Sequence, residues 1–517
     1  MLPDAFLAGL PILVILGVML GWRWSAARAG ALGLLITVFV AWFSFGYGSR
    51  LFPELGPAVA TLAALGEAGF IALTILWIIF PALCIYELQR TTGATEHLRA
   101  AVGGLSGDPR VAALLIAWFF ALFMEGAAGF GTSAALAAPF LVSMGFAPVQ
   151  AVCLALVGHA VGVSFGAVGT PIVPQLAVTP FSAVELSGAT AIYHGLLGWI
   201  MASLLMILIL IQRALPRDAL ALSGARRAEL QPWLWTLLAA FVFLLPYYLI
   251  AAFVGPELPT LGGSLIGVCV FIALLLFARR RNRYKSNHAP RQSVQLLRAA
   301  APYLTLVVLV LLTRLVVPIR EFLGSVGLGW EYAAFKGDMA PLYHPGSLLL
   351  VSFFLGAAWQ RADGKAVRAA MQKASRRLVP VTLALIAMLG LSRIMVHAGM
   401  INSLAVAAAA SLGASWPLLA PFVGALGTFV TGSATASNIL FSEFQQATAE
   451  RLGFSPLALL GAQGFGAAVG NIVCPHNIIA ANAVVNLSAK EGEVLRRTAG
   501  IMLLYTFCGG LLALWFA

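Results

Sequence analysis

The chain has 517 residues, 61% hydrophobic and only 10% charged, with a mean hydropathy of +0.95, a balance that excludes an ordinary soluble domain. At about 20 to 25 residues per crossing plus short loops, roughly a dozen membrane spans fit, and no polar stretch is long enough for a second, soluble domain. The formal net charge of +12 does not point to nucleic acid, because the basic residues cluster in a few short stretches between apolar runs, the pattern that orients spans in a bilayer.

Long continuous apolar runs, without two-residue alternation, exclude a membrane barrel. The expected fold is therefore an all-α polytopic membrane protein of about 12 to 14 transmembrane helices, including broken or re-entrant segments. Apolar runs over 5–22 and 30–45 predict the first two helices, separated by Arg23 and Arg28. Residues 1–4 contain no Lys or Arg, so the first run reads as a retained helix with the N-terminus outside, not as a cleaved signal. A third run, 59–86, is long enough to tilt or to break near Glu67-Ala68-Gly69, and 96–109 is a polar connection. The run 111–124 stops at Glu125-Gly126, so 126–146 is expected to form a re-entrant turn or a broken helix.

Residues 149–163 lead into a break at Gly169-Thr170-Pro171, and the runs 192–211, 233–253 and 261–277 read as plain scaffold. The run 300–317 carries Arg314 close enough to an end to snorkel. An outer loop over 320–344 holds Trp330, Tyr332 and Tyr343 as interfacial aromatics. After a basic loop over 361–377, the second half runs through 378–391, which ends at Ser392-Arg393 with His397 just beyond, then 401–412, 417–430, a second break and a last span over 501–517. Basic stretches at 213–227, 279–285 and 361–377 are separated by pairs of spans and so all face the cytoplasm; Lys490, Arg496 and Arg497 before the last span put the C-terminus outside. Three units are expected: 1–230 with a first broken motif over 123–174, 231–377 as connecting scaffold, and 378–517 with a second broken motif over 429–482.

Those two motifs echo each other. The first reads Phe123-Met124-Glu125-Gly126, a Gly/Ala/Ser/Thr segment, Gly145-Phe146-Ala147-Pro148, then Gly169-Thr170-Pro171. The second reads Phe429-Val430-Thr431-Gly432, a small-residue segment to Asn438, Gly453-Phe454-Ser455-Pro456, then Gly470-Asn471 through Cys474-Pro475-His476-Asn477. Matched interruptions in two halves are the best sequence pointer to the binding site of a secondary transporter.

Glu125 is the first candidate for chemistry. A carboxylate at membrane depth costs several kcal/mol and marks ion or proton pathways; the alternative is a cap for the adjacent broken helix. His159 and His476 either assist proton transfer or satisfy freed carbonyls. Small and hydroxylated residues around the breaks (Gly129, Gly131, Thr132, Ser133, Gly169, Thr170, Thr431, Ser433, Ser437 and Asn438, with Asn471 and Asn477) suit an anion held by half-helix N-termini, or else tight helix packing. Arg393 is a candidate anchor for a substrate carboxylate; otherwise it reaches the interface or pairs with Glu67 or Glu87. The five cysteines show no CxxC spacing, which supports neither a disulfide framework nor a metal site. No P-loop, His-Glu-x-x-His or Gly-x-Ser-x-Gly is present, so neither ATP-driven pumping nor intramembrane catalysis is supported, and no cofactor is implied.

At Glu125 through Gly131, Phe165-Gly166-Ala167 through Ile172, Thr431-Gly432-Ser433 with Ser437-Asn438, and Lys490-Glu491-Gly492, the chain resembles the lactate permease family of the ion transporter superfamily. The resemblance runs in order along most of the chain. It implies proton-coupled uptake of lactate or glycolate in a bacterial inner membrane, two inverted repeats, and a site where their broken segments meet. Against that family's pattern the chain has Ala434 for an Asp, Asn471 for a Lys, Cys474 and His476 for Ser and Gln, and His159 for an Asn, changes that reshape the polar lining. A sulfonated carboxylate or a dicarboxylate, with Arg393 taking the extra charge, is the alternative substrate, and an anion channel is the alternative mechanism.

Overall fold

The computed structural model describes residues 2–22, 24–95, 97, 108–129, 132–211, 225–281, 293–487 and 490–517. Arg23, most of the connection expected over 96–109, residues 213–224, Arg283, Lys285, Phe130 and Gly131 lie outside them. The helices run α1 Leu2–Gly21, α2 Ala26–Phe43, α3 Gly56–Thr91, α4 Pro109–Ala128, α5 Thr132–Ser143, α6 Pro148–His159, α7 Val173–Val178, α8 Ala183–Ile211, α9 Ala225–Phe253 and α10 Pro259–Arg281. They continue as α11 Ser293–Leu315, α12 Val317–Gly324, α13 Pro345–Trp359, α14 Gly364–His397, α15 Met400–Leu412, α16 Trp416–Thr431, α17 Ala434–Leu452, α18 Pro456–Gly470, α19 Pro475–Val484 and α20 Glu491–Phe516. Among the described residues 12 helical stretches are long and apolar enough to cross a membrane, which bears out an all-α polytopic fold.

The helix starts follow from local chemistry. Asp108, Asp363, Ser433 and Ser455 accept from first-turn amides of α4, α14, α17 and α18, satisfying donors that have no partner within the helix. Pro148, Pro456 and Pro475 open α6, α18 and α19, where proline's missing N–H costs nothing.

Several expectations change in three dimensions. Helix α3 passes Glu67 unbroken for 36 residues. The basic stretch ending at Arg377 is the first half of α14 rather than a loop: Asp363 caps it, and Ala370 and Ala374 are buried against neighbouring elements. The outer segment expected as loop contains an antiparallel hairpin, β1 Leu328–Tyr332 with β2 Phe335–Met339. Arg314 does not snorkel. It is buried, donates through Nη2 to Glu257 Oε1 at 2.6 Å and through Nη1 to Tyr343 O at 3.1 Å, and stacks 3.7 Å over the Tyr343 ring. The reason is that Glu257, between α9 and α10, is itself buried and holds the guanidinium in. Burial, then the Arg314 charge, push the His344 imidazole down to about 4. Neutral at ordinary pH, it accepts from Gly346 N–H and caps α13.

Packing sorts the helices into a core and a surround. α16 packs on α18 and α20, α17 on α18, and α8 on both α9 and α18. α14 lies against α2 and α3, and α10 against α4. The α16/α18 contact is backbone to backbone: a Cβ on Gly466 would overlap Pro421 O, and one on Gly424 would overlap Gln463 O. Gly466→Ala must therefore separate two helices, and we expect it to destabilise the fold by about 3 kcal/mol. Thermal unfolding of the detergent-purified protein checks this; a wild-type midpoint would contradict it.

Candidate functional site

Four interruptions of helix converge on one cavity. Helix α4 ends at Gly129, whose φ of +57 and ψ of −151 are open only to glycine, and a Cβ there would stand 2.9 Å from the Ala167 N. Facing it, Ala167, Val168 and Gly169 are consecutive left-handed residues with φ of +45, +57 and +80. Such a conformation costs roughly 1 to 2 kcal/mol for each non-glycine residue and persists only where the surroundings hold it. Here Thr170 Oγ1 donates to Ala167 O at 2.5 Å, pinning the turn. The third interruption is Gly432, at φ +80 between α16 and α17, and the fourth is the Asn471–Cys474 turn between α18 and α19.

The cavity is small and partly open, and its wall is Glu125, Gly129, Val163, Gly166, Ala167, Thr170, Pro171, Gly432, Ser433, Ala434, Thr435 and Asn471. The limbs beyond the breaks cross over: α7, which follows the Ala167–Gly169 turn, packs on α17, while α19, which follows the Asn471–Cys474 turn, packs on α5 and α6.

Glu125 is 3% exposed and is the acidic group of this wall. Ser133 Oγ donates to its Oε2 at 2.7 Å, and His159 Nε2 stands 4.0 Å from the same oxygen. His159 donates from Nδ1 to Ala155 O at 2.7 Å, and its Nε2 lies 3.1 Å from Asn471 Oδ1. Asn477 Nδ2 donates to that same Oδ1 at 2.7 Å. The acid and the histidine of the first motif are thus joined to the two asparagines of the second.

Of the residues singled out from sequence, Glu125, Gly129, Thr170, Ser433 and Asn471 line the cavity. Ser133, His159 and Asn477 stand one bond behind it. Asn438 Nδ2 reaches Pro171 O at 2.8 Å, Ser437 Oγ donates to Gly424 O and ties α17 to α16, and Thr431 Oγ1 donates to Gly427 O within α16. Gly169 packs against Pro256 O. Gly131 is not described, and Thr132 begins α5. His476 is exposed at the start of α19, behind Gly432. Arg393 is not in the wall: its guanidinium pairs with Glu443 and lies 3.7 Å from Glu67 Oε1, the pairing already open as an alternative.

The sequence reading missed a line of buried amides. Gln445 Nε2 donates to Gln463 Oε1 at 3.1 Å, and Gln463 Nε2 reaches Ser437 Oγ at 3.2 Å and Asn438 Oδ1 at 3.4 Å, linking α17 and α18 to the Pro171 carbonyl at the cavity. It also missed His194, held between Tyr505 Oη at 3.0 Å and Ser164 Oγ at 3.1 Å. Polar residues inside apolar runs were the available signal, but they become a network only when the helices pack, across separations from 18 residues for Gln445 and Gln463 to 311 for His194 and Tyr505.

A family model described as L-lactate permease matches residues 4–517. The L-lactate permease of Streptococcus iniae is 28% identical over 464 residues, spanning 88% of this chain and 92% of that one. Glycolate permease GlcA of Escherichia coli is 26% identical over 565 residues, spanning 99% and 95%. Among solved structures, MtrF of Neisseria gonorrhoeae is similar in fold, with a TM-score of 0.51 at 12% identity over 95% of this chain and 94% of that chain. With the family model matched over nearly its whole length, this chain belongs to the L-lactate permease family.

Proposed function

We propose that the protein is a proton-coupled secondary transporter, a symporter, for a small hydroxy-monocarboxylate such as L-lactate or glycolate. The observation that carries the reading is the composition of the cavity wall: one buried carboxyl, Glu125, faces the N-terminal turn of α17 at Ser433–Thr435. At that turn the amides of Ala434 and Thr435, the first two helical residues, have no partner within the helix, and with the positive end of the helix dipole they suit an anion. The names of the relatives, L-lactate permease and glycolate permease, supply the substrate class.

The coupling follows from charge. Glu125 Oε2 and His159 Nε2 stand 4.0 Å apart beside the cavity, close enough to exchange a proton. A substrate carboxylate entering the same desolvated space repels an ionised Glu125, so anion and proton bind together. The substrate hydroxyl meets Thr170, Ser433, Thr435 and Asn471, the polar side chains that share the wall with Glu125. Arg393 is committed to Glu443 and Glu67 outside the wall, which favours a monocarboxylate over a dianion.

In this reading the two broken motifs, within units 1–230 and 378–517, are inverted repeats, and 231–377 is connecting scaffold. The chain sits in a bacterial inner membrane with both termini outside, and access alternates as the broken segments move against the plain spans. The test is uptake of labelled L-lactate into proteoliposomes under an imposed pH gradient, competed by glycolate, sulfonated carboxylates and dicarboxylates. Gradient-dependent accumulation blocked by glycolate is expected. Dissipation without accumulation would mean a channel, and accumulation of another anion alone would overturn the substrate.

A further inference from the structure

About 15 Å along α17 from the cavity, at 1.5 Å per residue over the ten residues from Ser433, lies a second buried group of charges. Glu443 of α17 pairs with Arg393 of α14, and Ser392 Oγ donates to Glu443 Oε2 at 3.2 Å. Arg393 Nη1 is 3.7 Å from Glu67 Oε1 on α3, and His397, one turn further along α14, lies 2.7 Å through Nε2 from Glu67 Oε2. Glu67 and Arg393 are buried, and the side chains of His397 and Glu443 are only 15% and 12% exposed. Arg393 Nε has no acceptor among the described residues, so the guanidinium is not saturated by its present partner.

We propose that this cluster is a second proton-binding site, in which a proton on His397 decides whether Arg393 holds the α17 carboxylate Glu443 or is drawn to Glu67. The argument is a count of charge. Two carboxylates share one guanidinium, so the cluster is neutral only when one further proton is bound. With His397 protonated, its ring neutralises Glu67 and leaves Arg393 to Glu443, the arrangement of the structure. With His397 neutral, Glu67 is a buried carboxylate whose one remaining cation among the described residues is Arg393, and competition for the guanidinium weakens the tie between α14 and α17. The other groups around the ring do not supply a competing charge: the loop after α2 brings Tyr47, whose hydroxyl donates to Ala60 O at 2.8 Å, and β2 brings the Phe335 ring, centred 4.5 Å from the imidazole. Because α17 begins at the cavity wall, the proton state of the cluster reaches the cavity through one rigid helix. The inference itself does not require that cavity to be the substrate site.

The test needs no substrate. Hydrogen exchange of the α17 amides, residues 434–452, is followed in the full-length purified protein at pH 6 and pH 8.5, after correction for the intrinsic pH dependence of exchange. Wild-type α17 should exchange about tenfold more slowly at pH 6 than at pH 8.5. His397→Gln should exchange fast at both pH values. Glu67→Gln, which removes the competitor, should exchange slowly at both, and this opposite sign separates the switch from general loosening of the fold. A pH effect retained in His397→Gln, or the same direction of change in both variants, would overturn the proposal.

Discussion

Glu125→Gln should abolish pH-driven accumulation while leaving exchange of internal for external substrate. For one proton carried with each anion, the accumulation ratio at equilibrium is about tenfold per pH unit of gradient, the factor by which proton activity differs. The glutamine keeps the volume of the side chain and can still accept from Ser133 Oγ, which now bonds Glu125 Oε2 at 2.7 Å, so the wall keeps its shape. It has no proton to give up, and the accumulation ratio should fall to about one whatever the gradient. Counterflow needs only that loaded sites reorient, and it should persist. Proteoliposome uptake with and without a pH gradient, beside a counterflow assay on the same vesicles, separates these outcomes. Wild-type accumulation by the variant would remove Glu125 from the coupling step, whereas loss of both activities would assign it to architecture.

The second large effect concerns stability. Arg314→Met strands Glu257, a carboxylate only 5% exposed whose Oε2 already has no hydrogen-bond partner among the described residues. Breaking a buried pair from one side costs about 3 to 5 kcal/mol, because an uncompensated charge remains in a place water cannot reach. The stack on Tyr343 and the bond to its carbonyl are lost as well. Adding Glu257→Gln removes the stranded charge, so the double variant should regain most of the lost stability. Thermal unfolding of wild type, both single variants and the double variant forms a complete cycle. A double variant as unstable as Arg314→Met would mean that packing on Tyr343, rather than charge, holds this end of α11.

The error over Arg314 shows where sequence reasoning runs out. A basic residue near the end of an apolar run reaches water unless a buried acid holds it, and Glu257 lies 57 residues away. Arg393 was ambiguous for the same reason: anchor and ion pair look alike until Glu443 and Glu67 are seen beside it. The amide line through Gln445 and Gln463 is a further case, since no local pattern marks two glutamines on successive helices as partners.

What the sequence determined by itself was the membrane class, the spans and the places where they break. Those depend on local quantities, namely apolar length against bilayer thickness and glycine or proline where helix cannot continue. It also pointed to Glu125, because one carboxyl in a long apolar run stands out without knowledge of its neighbours. Only the tertiary structure decided that four interruptions, from Gly129 to Asn471, close on one cavity, that His159 faces Asn471 from 312 residues away, and that Arg393 stands outside. The physical reason is that a buried polar group is defined by the partner that satisfies it, and in this chain those partners come from distant segments that meet only when the helices pack.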